Sequence, residues 1–165
     1  MQNNTNSTAA LKKLITWARA LKISETIIPS DIEALANLEI LNLYNQNLTT
    51  LPNEISALTN LKKLYLASNC FNELPLVVCK LKKLETLFIM NNAIDNLPNE
   101  IMELSNLKEL VAFDNNISDI TNIVKMKQLD YLILSYNKLS PEQTRALEKA
   151  FSEKVNCSNQ KIDKK

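Results

Sequence analysis

The sequence predicts an α/β solenoid in which short parallel strands, one per repeat, stack into a single sheet and a helix closes each end. Three observations predict it. A block of the form LPxxIxxLxxL recurs at an offset of 23 residues, alternating leucines within each unit follow the two-residue period of a strand, and segments of helical period flank the repeats.

The block reads Leu51-Pro52-Asn53-Glu54-Ile55 through Leu61, Leu74-Pro75 through Leu84, and Leu97-Pro98-Asn99-Glu100-Ile101 through Leu107, with Ile28-Pro29 through Leu38 one period earlier. Each block runs into LxxLxLxxNxL. The copies are Leu61, Leu64, Leu66, Asn69, Phe71; Leu84, Leu87, Ile89, Asn92, Ile94; and Leu107, Leu110, Ala112, Asn115, Ile117. A shorter step of 22 residues leads to Leu129, Leu132, Leu134, Asn137, Leu139. The first copy, Leu38, Leu41, Leu43, Gln46, Leu48, carries glutamine where the others carry asparagine.

Alternation sends Leu64 and Leu66 to one face of a strand and Tyr65 to the other. One face is therefore core and the other solvent. Stacking the strands in parallel pairs their backbone groups, and each unit buries the apolar surface its neighbour leaves open.

In period and signature the segment from Ile28 to Leu139 resembles the leucine-rich-repeat family, in the bacterial style of 23-residue LPxxI units. The resemblance implies a right-handed, curved solenoid with its short strands on the concave side and helical or extended segments on the convex side. It also implies that Asn69, Asn92, Asn115 and Asn137 form a buried ladder, each amide bonding backbone groups of adjacent turns. Their role is structural, and Gln46 predicts a looser first turn.

An open solenoid exposes apolar ends, so caps are required. Residues 1–8 are expected to be flexible and 9–27 to form the N-terminal cap, with a helix over Ala9 to Lys22 whose stripe is Leu11, Leu14, Ile15, Ala18 and Leu21, sealed by Trp17. Residues 28–139 hold five strand units starting near 38, 61, 84, 107 and 129, and 140–165 form a C-terminal cap and charged tail ending Lys164-Lys165. Ser140-Pro141-Glu142-Gln143 combines a capping hydroxyl, a first-turn proline and a glutamine at the third helical position. Ala146, Leu147, Ala150 and Phe151 give that helix an apolar stripe, and Val155 to Cys157 is a candidate edge strand.

Composition narrows the chemistry. No histidine means no imidazole base or metal ligand, and no glycine means none of the usual phosphate-cradling loops. A net charge of +1 supplies no field for nucleic acid or anionic membrane. Cys70, Cys79 and Cys157 match neither a disulfide framework nor a thiolate zinc site, which points to reduced thiols. Met1 to Ala10 has no apolar core of the signal-peptide kind. The expectation is a cytoplasmic protein without catalytic residue, metal or cofactor. Asp95, Asp114 and Asp119 share one turn region, and turn formation explains them better than catalysis.

The outward positions follow from the strand pattern. Asn42, Tyr65, Phe88, Val111 and Ile133 lie between the paired leucines, preceded by Ile40, Lys63, Thr86, Glu109 and Tyr131. Tyr44, Ala67, Met90, Phe113 and Ser135 come next, then Asn45, Ser68, Asn91, Asp114 and Tyr136. Of four Tyr, four Phe and one Trp in the chain, all four Tyr, Phe88 and Phe113 fall on this face. Exposed aromatic patches mark binding surfaces. The expected contact residues are Tyr44, Tyr65, Phe88, Met90, Val111, Phe113, Tyr131, Ile133 and Tyr136, and the expected partner is a protein or peptide. The same rings also suit stacking along a sheet. The chain is expected to be a monomer or weak homodimer. An alternative is an effector exported by a specialised secretion system, with Met1 to Ala10 as its signal. At the rim, Glu39, Lys62, Glu85, Lys108 and Asp130 alternate in sign, which favours cross-strand ion pairs over a docking site.

Overall fold

The computed structural model describes residues 2–161 and contains one open sheet of six parallel strands in chain order. These are β1 (Ile40–Asn42), β2 (Lys63–Tyr65), β3 (Thr86–Phe88), β4 (Glu109–Val111), β5 (Tyr131–Ile133) and β6 (Val155–Asn156). Three helices accompany them: α1 (Gln2–Ala20), α2 (Ile32–Ala36) and α3 (Pro141–Phe151). The register follows the repeat, with Leu41, Leu64, Leu87, Leu110, Leu132 and Val155 in line across the sheet. Those five leucines and the next inward set, Leu43, Leu66, Ile89, Ala112 and Leu134, are buried throughout. A third buried row, Leu48, Phe71, Ile94, Ile117 and Leu139, lies beyond the asparagines. Burying a leucine-sized side chain contributes about 1.5 to 3 kcal/mol, so these rows are the main stabilising feature of the array.

Opposite the sheet, the LPxxI blocks form 3-10 turns at Asn53–Ala57, Leu76–Lys80 and Asn99–Glu103. Each begins just after its proline, whose fixed φ suits the entry to a helical turn. The 22-residue unit has Thr121 where the others have proline, and its turn shrinks to Ile123–Lys125. In the first unit Asp31 caps a true α-helix instead, its carboxylate accepting from the Ala34 N–H at 2.7 Å.

The strand exits require a left-handed backbone, and this chain has no glycine to provide it. The position recurs at Asn45, Ser68, Asn91, Asp114, Tyr136 and Asn159, with φ between 52° and 55°. Asn and Asp accept this conformation because their short side chains bond the nearby backbone, whereas a bulky residue there is an outlier that costs roughly 1 to 2 kcal/mol. Tyr136→Asn is accordingly expected to stabilise the fold by about 1 kcal/mol, raising the melting temperature by a few degrees in calorimetry. An unchanged or lower transition would contradict the strain.

The caps depart from expectation in extent. The N-terminal helix starts at Gln2, so the flexible segment expected over residues 1–8 is helical from its second residue. Nothing between Gln2 and Ala10 breaks a helix, and a helix already packed on the first repeat extends backward at little cost. It ends at Ala20, two residues before the predicted stop. Lys22 turns left-handed (φ 57°) while the Lys22 and Ile23 N–H groups bond the Arg19 and Ala18 carbonyls, a Schellman closure that leaves Leu21 exposed. Leu11, Leu14, Ile15 and Ala18 are buried and Trp17 packs against them.

The capping box at Ser140 forms as predicted, with Gln143 N–H donating to Ser140 Oγ at 3.2 Å and Ser140 N–H to Gln143 Oε1 at 2.9 Å. The Gln143 amide also reaches the Ser118 carbonyl at 2.7 Å, tying α3 to the preceding repeat. Leu147, Ala150 and Phe151 face inward while Ala146 is exposed. The last lysines, Lys164 and Lys165, lie outside the described residues.

Candidate functional site

Beneath the face that could receive a partner, the asparagine ladder holds the strands in place. In the central turn Asn115 Nδ2 donates to the Ile89, Ala112 and Phe113 carbonyls at 2.9, 3.2 and 3.4 Å, and its Oδ1 accepts from the Ile94 N–H at 3.0 Å. Asn92 and Asn137, one period away, and Asn69, two periods away, make the corresponding bonds. Each amide thus bridges two successive turns. Gln46 has no earlier turn to reach, and its amide bonds the Tyr44 carbonyl of its own turn at 3.0 Å.

The ladder has one more member than the sequence reading assigned it. Gln160 donates to the Leu134 and Cys157 carbonyls at 3.1 and 2.6 Å and accepts from the Leu139 N–H at 3.2 Å. Continuing the 23-residue offset from Leu132, Leu134 and Asn137 to Val155, Cys157 and Gln160 would have revealed it. Glutamine and weak apolar matches hid a sixth, partial repeat.

On the concave face eight of the nine expected contact residues divide into two groups, Val111 standing apart. Tyr44, Tyr131 and Tyr136 are exposed by 53%, 48% and 51%, the first beside β1 and the other two at opposite ends of β5. Ile40, on β1 but left out of the expected contact set, is 52% exposed and belongs with them. Tyr65, Phe88, Met90, Phe113 and Ile133 are half-buried. Tyr65 and Phe88 pack edge to face at 5.1 Å, so the stacking role is real for that pair.

Val111 must be corrected. It stands in register between Phe88 and Ile133, and these larger neighbours leave it only 5% exposed. Thr86, Ala67 and Ser135, also outward in sequence, are buried for the same reason, short side chains among longer ones. The face is therefore a shallow trough with its freest aromatic groups near β1 and β5. With strands about 4.8 Å apart, those two strands are about 19 Å apart.

The rim column forms ion pairs at Lys62–Glu39 (2.8 Å) and Lys108–Asp130 (3.9 Å), and Lys154 extends it by pairing with Asp130 at 3.1 Å. The hydrogen bond to Glu39 holds the Lys62 ammonium above its ordinary pKa. All these groups are well exposed, so solvent screening leaves such pairs little net effect on stability.

Two of the three turn-region aspartates have structural partners. Asp119 accepts from the Thr121 hydroxyl and N–H at 2.6 and 2.8 Å, which lowers its pKa, and Asp114 pairs with Lys161 at 3.0 Å. Burial pushes the Cys79 thiol up to about 11 and raises that of Cys157, which makes both poor nucleophiles. Among the described residues no group of three or more His, Cys, Asp or Glu is placed to hold a metal, and no helix is long and apolar enough to cross a membrane.

A family model described as a leucine-rich repeat region matches residues 18–163. Among solved structures, a leucine-rich-repeat protein of Leptospira interrogans is 35% identical with a TM-score of 0.69, over 82% of this chain and 35% of its own. An internalin C2 of Listeria monocytogenes is 28% identical with a TM-score of 0.61, over 85% of this chain and 57% of its own. The chain thus spans about a third to somewhat over half of the length of these structures. No curated protein matches it significantly.

Proposed function

Because the chain belongs to the leucine-rich-repeat family, we propose that it is a non-enzymatic interaction module which binds a protein or peptide on the concave face of its sheet. The observation that carries this reading is the exposure of Ile40, Tyr44, Tyr131 and Tyr136 at about half of their surface. Rings left in water forgo much of the roughly 1.5 to 3 kcal/mol that burial of a Phe-sized side chain provides. A partner covering the trough recovers that energy, and aromatic anchors are the residue class that dominates interface energetics. The separation of about 19 Å between β1 and β5 suits one helix, 10 to 12 Å thick, or an edge of a small domain.

The reading extends to location. Three free thiols fit the reducing cytoplasm, where we place the protein.

The test is a quantitative pull-down comparing the native chain, the Tyr44→Ala/Tyr131→Ala double variant, and Met102→Ala on the opposite, 3-10 side as a control. Recovery of the specific partner is expected to fall at least about tenfold for the double variant alone, with its melting transition nearly unchanged, since exposed rings contribute little to the core. Equal recovery by all three proteins would remove the concave face as the site.

A further inference from the structure

We infer that Tyr136 is an anchor of the partner-binding face, kept in an unfavourable backbone conformation for the contact its ring makes. The inference rests on the reading of that face as a binding surface. At five of the six strand exits the left-handed residue is Asn45, Ser68, Asn91, Asp114 or Asn159, all small and polar. Only the exit from β5 holds an aromatic residue, with φ 55°.

The fold gives little back for it. Tyr136 is 51% exposed, so burial offsets only part of the conformational cost, and its hydroxyl receives one long hydrogen bond, from Asn159 Nδ2 at 3.4 Å. A residue held in a sparsely populated conformation without local compensation points to a requirement outside the folding energy.

Its location supplies that requirement. Tyr131 begins β5, Ile133 ends it, and Tyr136 stands in the turn beyond, so one strand presents two exposed tyrosines with an apolar residue between them. Beside this column Asp130 pairs with Lys108 and Lys154 and Asp114 with Lys161, and Glu109, in register with Tyr131, brings the acidic groups level with the three lysines. The patch is thus electrically balanced, apolar in its middle and able to form hydrogen bonds through its two phenols. It fits an uncharged, apolar peptide segment that offers carbonyl acceptors to the tyrosine hydroxyls, and gives no advantage to a charged one.

The probe is a peptide selected from a random displayed library on the native chain, with Kd measured for the native protein, Tyr131→Ala, Tyr136→Asn and Tyr136→Phe. Selected peptides should be mostly uncharged and should lose affinity with Tyr131→Ala. Tyr136→Asn is expected to raise the melting temperature and yet weaken binding about tenfold or more, whereas Tyr136→Phe, which keeps the ring and loses only the hydroxyl bond, weakens it by a smaller factor. Opposite signs for stability and binding exclude simple unfolding as the cause. If Tyr131→Ala weakens binding while Tyr136→Asn does not, the anchor role is overturned and the concave site stands. Peptides that bind all variants as tightly as the native chain would overturn both.

Discussion

Replacing Asn115 with alanine is expected to lower the unfolding free energy by about 3 to 5 kcal/mol, among the largest effects available at a polar residue here. The side chain is fully buried and takes part in four hydrogen bonds joining the β3 and β4 turns. Alanine removes all four at once, leaving the Ile94 N–H and several carbonyls short of a partner in a site closed to water. Each unmade buried bond costs about 1 to 3 kcal/mol, partly relieved by local relaxation. Asn115 is also central, so the change weakens the contact between the two halves of the array rather than fraying an end. Urea denaturation followed by circular dichroism measures it, and a shift smaller than that of a typical surface variant would show that the ladder does not bind the turns together.

Phe71→Ala is expected to cost a comparable amount, about 3 to 5 kcal/mol, by a different route. Phe71 is fully buried, and it occupies a row otherwise filled by Leu48, Ile94, Ile117 and Leu139. Removing the ring leaves a cavity that a stacked array closes poorly, because neighbouring repeats hold its walls at a fixed spacing. Phe71→Leu restores the residue type of its neighbours and is expected to recover most of the loss. Equal destabilisation by both variants would mean that ring shape, not volume, is what the site requires.

The fold was legible because its signal is repeated. Once Leu64, Leu66 and Asn69 have a meaning, the same positions one period on inherit it, and parallel register follows from the common offset. Legibility failed where repetition ended. Gln2 to Thr8 belong to no period, so nothing in their spacing showed that the cap helix would extend through them. Gln160 keeps the period but differs from its template in side chain, which masked the offset, and its hydrogen bonds show that it completes the ladder.

The face was legible in direction but not in depth. Alternation correctly turned Val111 away from the core, yet exposure depends on the neighbours' size, and Phe88 and Ile133 cover it. The same effect half-buries Tyr65 and Phe88, which contact each other, and leaves Tyr44, Tyr131 and Tyr136 freest. The strain at Tyr136 was equally out of reach, since a side chain read as an outward aromatic says nothing of φ.

The central claim, that a partner sits in the concave trough, is tested most directly by site-specific photocrosslinking. A photoreactive phenylalanine analogue is placed in turn at positions 44, 131 and 102, the first two beside β1 and on β5 and the last in the 3-10 turn opposite the sheet. One specific adduct of the same mass from positions 44 and 131, and none from 102, is the predicted result. An adduct formed from position 102 but from neither tyrosine position would contradict it.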